Sequence, residues 1–83
     1  MASRQQRLGE QRGALEILLD AGLHGCTAAT LLAHGFRFNM LADLVRDGLA
    51  SAVPERVRAG GKEIVVARVR ITDAGRNALA AEG

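Results

Sequence analysis

The strongest constraint in this chain is a pair of adjacent glycines set between two β-branched runs. Val53 and Val57 precede Gly60-Gly61, and Ile64, Val65, Val66, Val69 and Ile71 follow it. Valine and isoleucine pack well on a pleated surface, and two consecutive glycines supply the positive φ that both central positions of a type I′ turn require, so the stretch reads as a β-hairpin. A two-residue turn fixes the register: Arg58 falls opposite Glu63 and Val57 opposite Ile64, a charge pair beside a β-branched pair. Pro54 has no N–H for a ladder, which puts its strand at the sheet edge or at a bulge. The second strand is apolar at consecutive positions, which predicts burial on part of both faces and a neighbour on its far side. Gly25-Cys26-Thr27 is the segment that can supply that neighbour.

Before the hairpin the apolar period is helical. Leu8, Leu15, Leu18 and Leu19 share a stripe, with Arg12, Glu16 and Asp20 on the other side, predicting a helix from Leu8 to Ala21 that Gly22 ends. Ser3 with Gln6 three residues on has the spacing of a cap. Gly9 and Gly13 weaken the first turns, so residues 1–8 read as a flexible arm, and Arg4, Arg7 and Arg12, opposed by Glu10, read as a frayed, solvated N-terminus rather than an additional basic arm. Thr27 caps a second helix through Leu31, Leu32 and Ala33, which His34-Gly35 stops. A third helix runs from about Arg37 to Asp47 with Phe38, Leu41, Leu44 and Val45 as its apolar stripe, and Gly48 closes it with Leu49 placed for the accompanying apolar contact. After the hairpin, Thr72 or Asp73 caps a last helix to about Ala81. Eighty-three residues fit one core and are too few for two. The expectation is a single α+β domain over 1–83: a three-helix core, a hairpin with two or three short strands, and a short C-terminal helix.

Charge narrows the function classes. The chain carries eleven cations against nine carboxylates, a net +2, and every cation but Lys62 is arginine. Location matters more than this small excess: Arg56, Arg58, Lys62, Arg68 and Arg70 crowd the hairpin against Glu63, with Glu55 just outside. Phe36 and Phe38 are the only aromatic residues, which excludes a base-stacking platform. His24, Cys26 and His34 are too few and too badly spaced for a zinc site or a nucleophile with its base, and Gly60-Gly61-Lys62 lacks the G-x-x-x-x-G-K pattern of a phosphate loop. No enzyme, metal or cofactor is expected. A lone Cys26 suits a reducing compartment, and neither a secretory leader at Met1 to Arg12 nor a membrane span is legible, so the expected location is cytoplasmic.

Two segments carry a family resemblance. Leu41-Ala42-Asp43-Leu44-Val45-Arg46-Asp47-Gly48-Leu49-Ala50 has the form L-x-x-L-x-x-x-G-L, and Val69-Arg70-Ile71-Thr72-Asp73-Ala74-Gly75-Arg76 has a closing T-x-x-G-R. With the order of elements, these resemble the winged helix-turn-helix family of bacterial regulators, particularly those related to the multiple-antibiotic-resistance group. The resemblance spans roughly Leu15 to Ala80. It implies that the third helix enters the major groove of duplex DNA while the hairpin, the wing, meets the backbone or minor groove.

With Phe38, Leu41 and Val45 taken as inward, steps of 100° turn Asn39, Asp43 and Arg46 outward, with Met40 and Asp47 at the margins. Asn39 then suits an adenine edge, Arg46 a guanine or a phosphate, Asp43 a cytosine amino group, and Arg37 a phosphate at the helix start. Arg56, Arg58, Lys62 and Arg68 are the wing's phosphate contacts. Thr27 and Thr30 are placed near a phosphate from the second helix, Thr27 chiefly as a cap. The expected function is a small DNA-binding transcriptional regulator, monomeric or weakly dimeric. The alternative is a winged-helix module that binds another protein, which the locally neutral third helix favours: Arg37 and Arg46 are balanced by Asp43 and Asp47.

Overall fold

The computed structural model describes the backbone of residues 4–82 and the side chains of residues 9–81. Helix α1 spans Arg4–Ala21 and passes through a 3₁₀ turn, Gly22–His24, into a two-residue strand, β1, Cys26–Thr27. Helices α2, Ala28–Ala33, and α3, Phe38–Arg46, follow, then strands β2, Ala50–Ala59, and β3, Lys62–Ile71, and helix α4, Asp73–Glu82. The sheet is antiparallel in the order β1-β3-β2. The molecule is thus α+β, with the helices packed on the face of the sheet that carries Ala50, Val69 and Ile71.

The hairpin folds in the expected register. Gly60 and Gly61 have φ of 60° and 79°, and Arg58 pairs with Glu63 and Val57 with Ile64. Pro54 lies on the edge strand, and β1 pairs Cys26 with Val69 and Thr27 with Arg68. Gly25 makes that approach feasible: its φ is +63°, and a Cβ there would overlap the Val69 carbonyl. Burial of β3 is confined to its base, Val69 and Ile71 on the core face and, half-buried, Val66 and Arg68 on the other. Because β1 covers only two of its ten residues, the outer part of the hairpin projects as a bare two-stranded ribbon, and Ile64 and Val65 are exposed. Ten residues per strand reach about 33 Å, which accounts for a long axis of 43 Å.

The core is aliphatic: Ala14, Leu15 and Leu18 of α1, Leu31 of α2, Met40, Leu41 and Leu44 of α3, and Ala50, Val69 and Ile71 of the sheet. Helix α1 begins at Arg4, four residues before the expected start at Leu8, and runs unbroken through Gly9 and Gly13. The reason at Gly13 is packing, since the ring of Phe36 occupies the place beside it, 3.4 Å from where a Cβ would stand. Leu19 is exposed because it lies about 90° from the middle of the buried arc. The Ser3 cap and the side chains of Arg4, Arg7 and Leu8 fall outside the described residues.

Helices α2 and α3 end in the same way. Gly35, φ 97°, bonds back to Leu32 while Phe36 bonds to Leu31; Gly48, φ 77°, bonds to Val45 while Leu49 bonds to Leu44. Each is a Schellman cap that turns its following apolar residue, Phe36 or Leu49, onto the core. The second cap meets the end of β3. The Thr72 N–H donates to the Leu49 carbonyl at 3.1 Å, the Thr72 hydroxyl donates to the Gly48 carbonyl at 2.6 Å, and the Gly75 N–H donates to that hydroxyl at 3.1 Å. Gly75 then lies so close that a Cβ would overlap the Leu49 carbonyl and stand 2.7 Å from Ile71 Cγ1.

Two glycine-to-alanine substitutions within helices are therefore expected to act in opposite directions. At Gly9 nothing lies within 4 Å of an added methyl, and Gly9→Ala raises stability by about 0.5–1 kcal/mol through helix propensity. At Gly75 the same gain is outweighed by a clash with a hydrogen-bonded backbone carbonyl, and Gly75→Ala lowers stability by about 1–3 kcal/mol. Thermal denaturation of both variants checks the signs.

Candidate nucleic-acid interface

The outward face of α3 differs from the sequence expectation. Met40, Leu41 and Leu44 are buried, while Phe38 is 65% and Val45 38% exposed. The helix is rotated because Phe36, turned inward by the Schellman cap of α2, takes the aromatic position against α1. Met40, placed at the margin from sequence, is core, and Phe38 and Val45, placed inward, are surface. The outer face thus reads Phe38, Asn39, Ala42, Val45 and Arg46, with Asp43 half-buried at its border. The alternative stripe Met40-Leu41-Leu44 was equally periodic in the sequence; what could have chosen it was the pairing of Phe36 with the side-chain-free Gly13.

The charges on this face are engaged. An Arg46 guanidinium N–H donates to Asp43 one turn earlier, so the two residues expected from the sequence to read guanine and cytosine are paired with each other. Arg37, in extended conformation just before α3, sends its guanidinium to Glu10 of α1 at 3.1 Å. That exposed pair links the start of α3 to α1. Asn39 is exposed with no side-chain hydrogen bond among the described residues. Thr27 caps α2 by accepting from the Thr30 N–H, and the two hydroxyls lie 2.8 Å apart. Arg12 pairs with Glu16.

Strand alternation splits the hairpin cations between two faces instead of gathering them. Arg56 and Arg58 share the core-side face with Glu63, Val65 and Pro54. Lys62, Arg68 and Arg70 lie on the opposite face with Glu55, Val53, Val57, Ile64 and Val66. Arg68 is the most covered of the hairpin cations assigned to phosphate: its Nε donates to Glu55 at 2.9 Å and its side chain is 23% exposed. Arg56 stands 3.9 Å from Glu63 in a loose, exposed pair. Arg70, at the base, donates through Nε to the Leu23 carbonyl at 2.6 Å. Arg58 and Lys62, on either side of the turn, make no ion pair among the described residues.

Hydrogen bonding from Arg68 holds the Glu55 carboxyl below the usual carboxylate range, against a smaller opposing effect of desolvation, and raises Arg68 in return. A depressed carboxylate contributes stability that is present above its unfolded value and is lost as pH falls through its folded one. Among the described residues no group of three or more His, Cys, Asp or Glu is placed to hold a metal. His24 is exposed in the 3₁₀ turn, Cys26 is half-buried against the core, and the His34 ring lies 6.5 Å from that of Phe36. Among those residues no helix is long and apolar enough to cross a membrane.

The Glu55–Arg68 pair gives a direct check by carboxyl NMR. Glu55 is expected to titrate below the ordinary glutamate midpoint of about 4.3, and Arg68→Gln is expected to move it upward. An unchanged midpoint in the variant would mean that the hydrogen bond is not formed in solution.

Comparison with protein-family models, curated proteins and solved structures finds no match to this chain.

Proposed function

We propose that the protein is a winged helix-turn-helix domain that binds duplex DNA, with α3 entering the major groove and the hairpin acting as the wing, in the service of transcriptional regulation. The observation that carries this reading is the state of the hairpin's charge. Between Ala50 and Ile71 there are five cations and two carboxylates, a surplus larger than the net charge of the whole chain. The two cations nearest the tip, Arg58 and Lys62, make neither an ion pair nor a side-chain hydrogen bond among the described residues, whereas Arg70 at the base has no carboxylate partner but donates to the Leu23 carbonyl. An unpaired guanidinium and an ammonium on a projecting ribbon can each displace a counterion from a phosphate, whereas Arg68 would first have to leave Glu55. The α2–α3 pair, joined by a four-residue turn over 34–37, supplies the helix-turn-helix.

Protein binding is the second reading, and one feature favours it. The ribbon exposes Val53 and Ile64 on one face and Val65 on the other, and apolar surface of this kind commonly marks a protein contact.

Binding of a labelled duplex across a salt series separates the two. On the DNA reading, affinity falls steeply with salt, and replacing both Arg58 and Lys62 with Ala weakens it at least tenfold while reducing the salt slope by about 2. Arg68→Gln has a much smaller effect. Absence of saturable binding at low salt, or indifference to the double substitution, would leave the protein-binding reading standing.

A further inference from the structure

We infer that α3 reads its DNA site through the methyl groups of thymine, and this inference rests on the DNA-binding reading. The outward face of α3 has an apolar centre: Phe38, Ala42 and Val45 recur at i, i+4 and i+7, all exposed. The polar groups that would ordinarily read bases beside them are occupied. Arg46 and Asp43 hold each other, and Arg37 is bonded to Glu10. An arginine that already has a carboxylate partner must break that exposed, modest pair before it takes a base edge. An apolar side chain has no such competing partner, and in the major groove the apolar feature of a base pair is the C5-methyl of thymine, which Phe and Ala side chains contact directly.

Size and surroundings favour this occupant over a protein. From Phe38 to Val45 the strip is about 10 Å long, the length of about three base-pair steps. It contains one large side chain, one methyl and a partly covered valine. A specific protein interface covers about 800 Å² on each partner, far more than three such groups offer. Polar residues border the strip, Asn39 and the Asp43–Arg46 pair on one side, and the free cations Arg58 and Lys62 belong to the ribbon that leaves α3 through Gly48-Leu49. An apolar line bordered on one side by groups that can hydrogen-bond base edges matches a groove floor where thymine methyls stand beside such edges. Asn39, outward and without a side-chain hydrogen bond among the described residues, is positioned to take the adenine of the same A·T pair.

Replacing thymine by uracil deletes the methyl and leaves the Watson–Crick pairing and the phosphates in place. The probe is a 20-base-pair duplex of alternating A and T, and an identical duplex in which every thymine is uracil. The expected result is weaker binding of the uracil duplex, by about fourfold for each methyl contacted, and a smaller difference between the two duplexes in Phe38→Ala, reduced by the methyl contacts that Phe38 makes. Phe38 is mostly exposed, so its truncation leaves the core intact. Equal affinity of the native protein for the two duplexes would overturn the methyl reading alone. Failure to bind either duplex at low salt would overturn the DNA reading with it and return the strip to a protein partner.

Discussion

The geometry of this molecule depends on one junction, where the end of α3 meets the end of β3. Thr72 bonds to both carbonyls of the Gly48-Leu49 turn, once through its N–H and once through its hydroxyl, while the same hydroxyl accepts from Gly75 and starts α4. Three elements are thereby tied at the base of the hairpin. The absence of a side chain at Gly75 is what lets α4 approach the Leu49 carbonyl, and the left-handed Gly48 is what turns that carbonyl toward Thr72. With the base held, the direction of the ribbon relative to α3 is set by backbone bonds and not by the few side chains between them.

The same junction explains what was legible in the sequence. Gly48, Leu49, Thr72 and Gly75 are the residues that carry the family resemblance, and their roles are local: a left-handed cap, an apolar contact, a hydroxyl cap, a missing Cβ. The Gly60-Gly61 turn, the register that it imposes and the edge position of Pro54 are local in the same sense. The rotation of α3 is not. Both Phe38-Leu41-Val45 and Met40-Leu41-Leu44 satisfy a helical period, and the choice between them is made twenty-odd residues away, where Gly13 leaves room for Phe36. The ion pairs Arg37–Glu10 and Arg68–Glu55 are likewise nonlocal, so a count of cations could place the charge on the hairpin but could not say which cations were free.

Pairing reshapes the electrostatics without changing the net charge. Arg37, Arg46 and Arg68 each face a carboxylate, and each such pair orients an element or a side chain more than it projects a field. What remains outward is uneven: a nearly neutral helix with an apolar centre, and a ribbon whose unpartnered charge lies near its tip. The helix face is suited to contacts that depend on shape and methyl groups, the ribbon tip to contacts that depend on charge.

The bare ribbon also has a consequence for the protein in concentrated solution. Beyond Val69 and Arg68 the outer edge of β3 has no neighbouring strand among the described residues, and Lys62 to Ala67 offer it with valines and an isoleucine on their surfaces. Such an edge is a template for another copy, and what holds copies apart is the like charge that each ribbon carries. Salt screens that repulsion within a Debye length of about 10 Å at 0.1 M. On the DNA-binding reading, the ions that would release the ribbon from phosphate would also weaken the repulsion between ribbons.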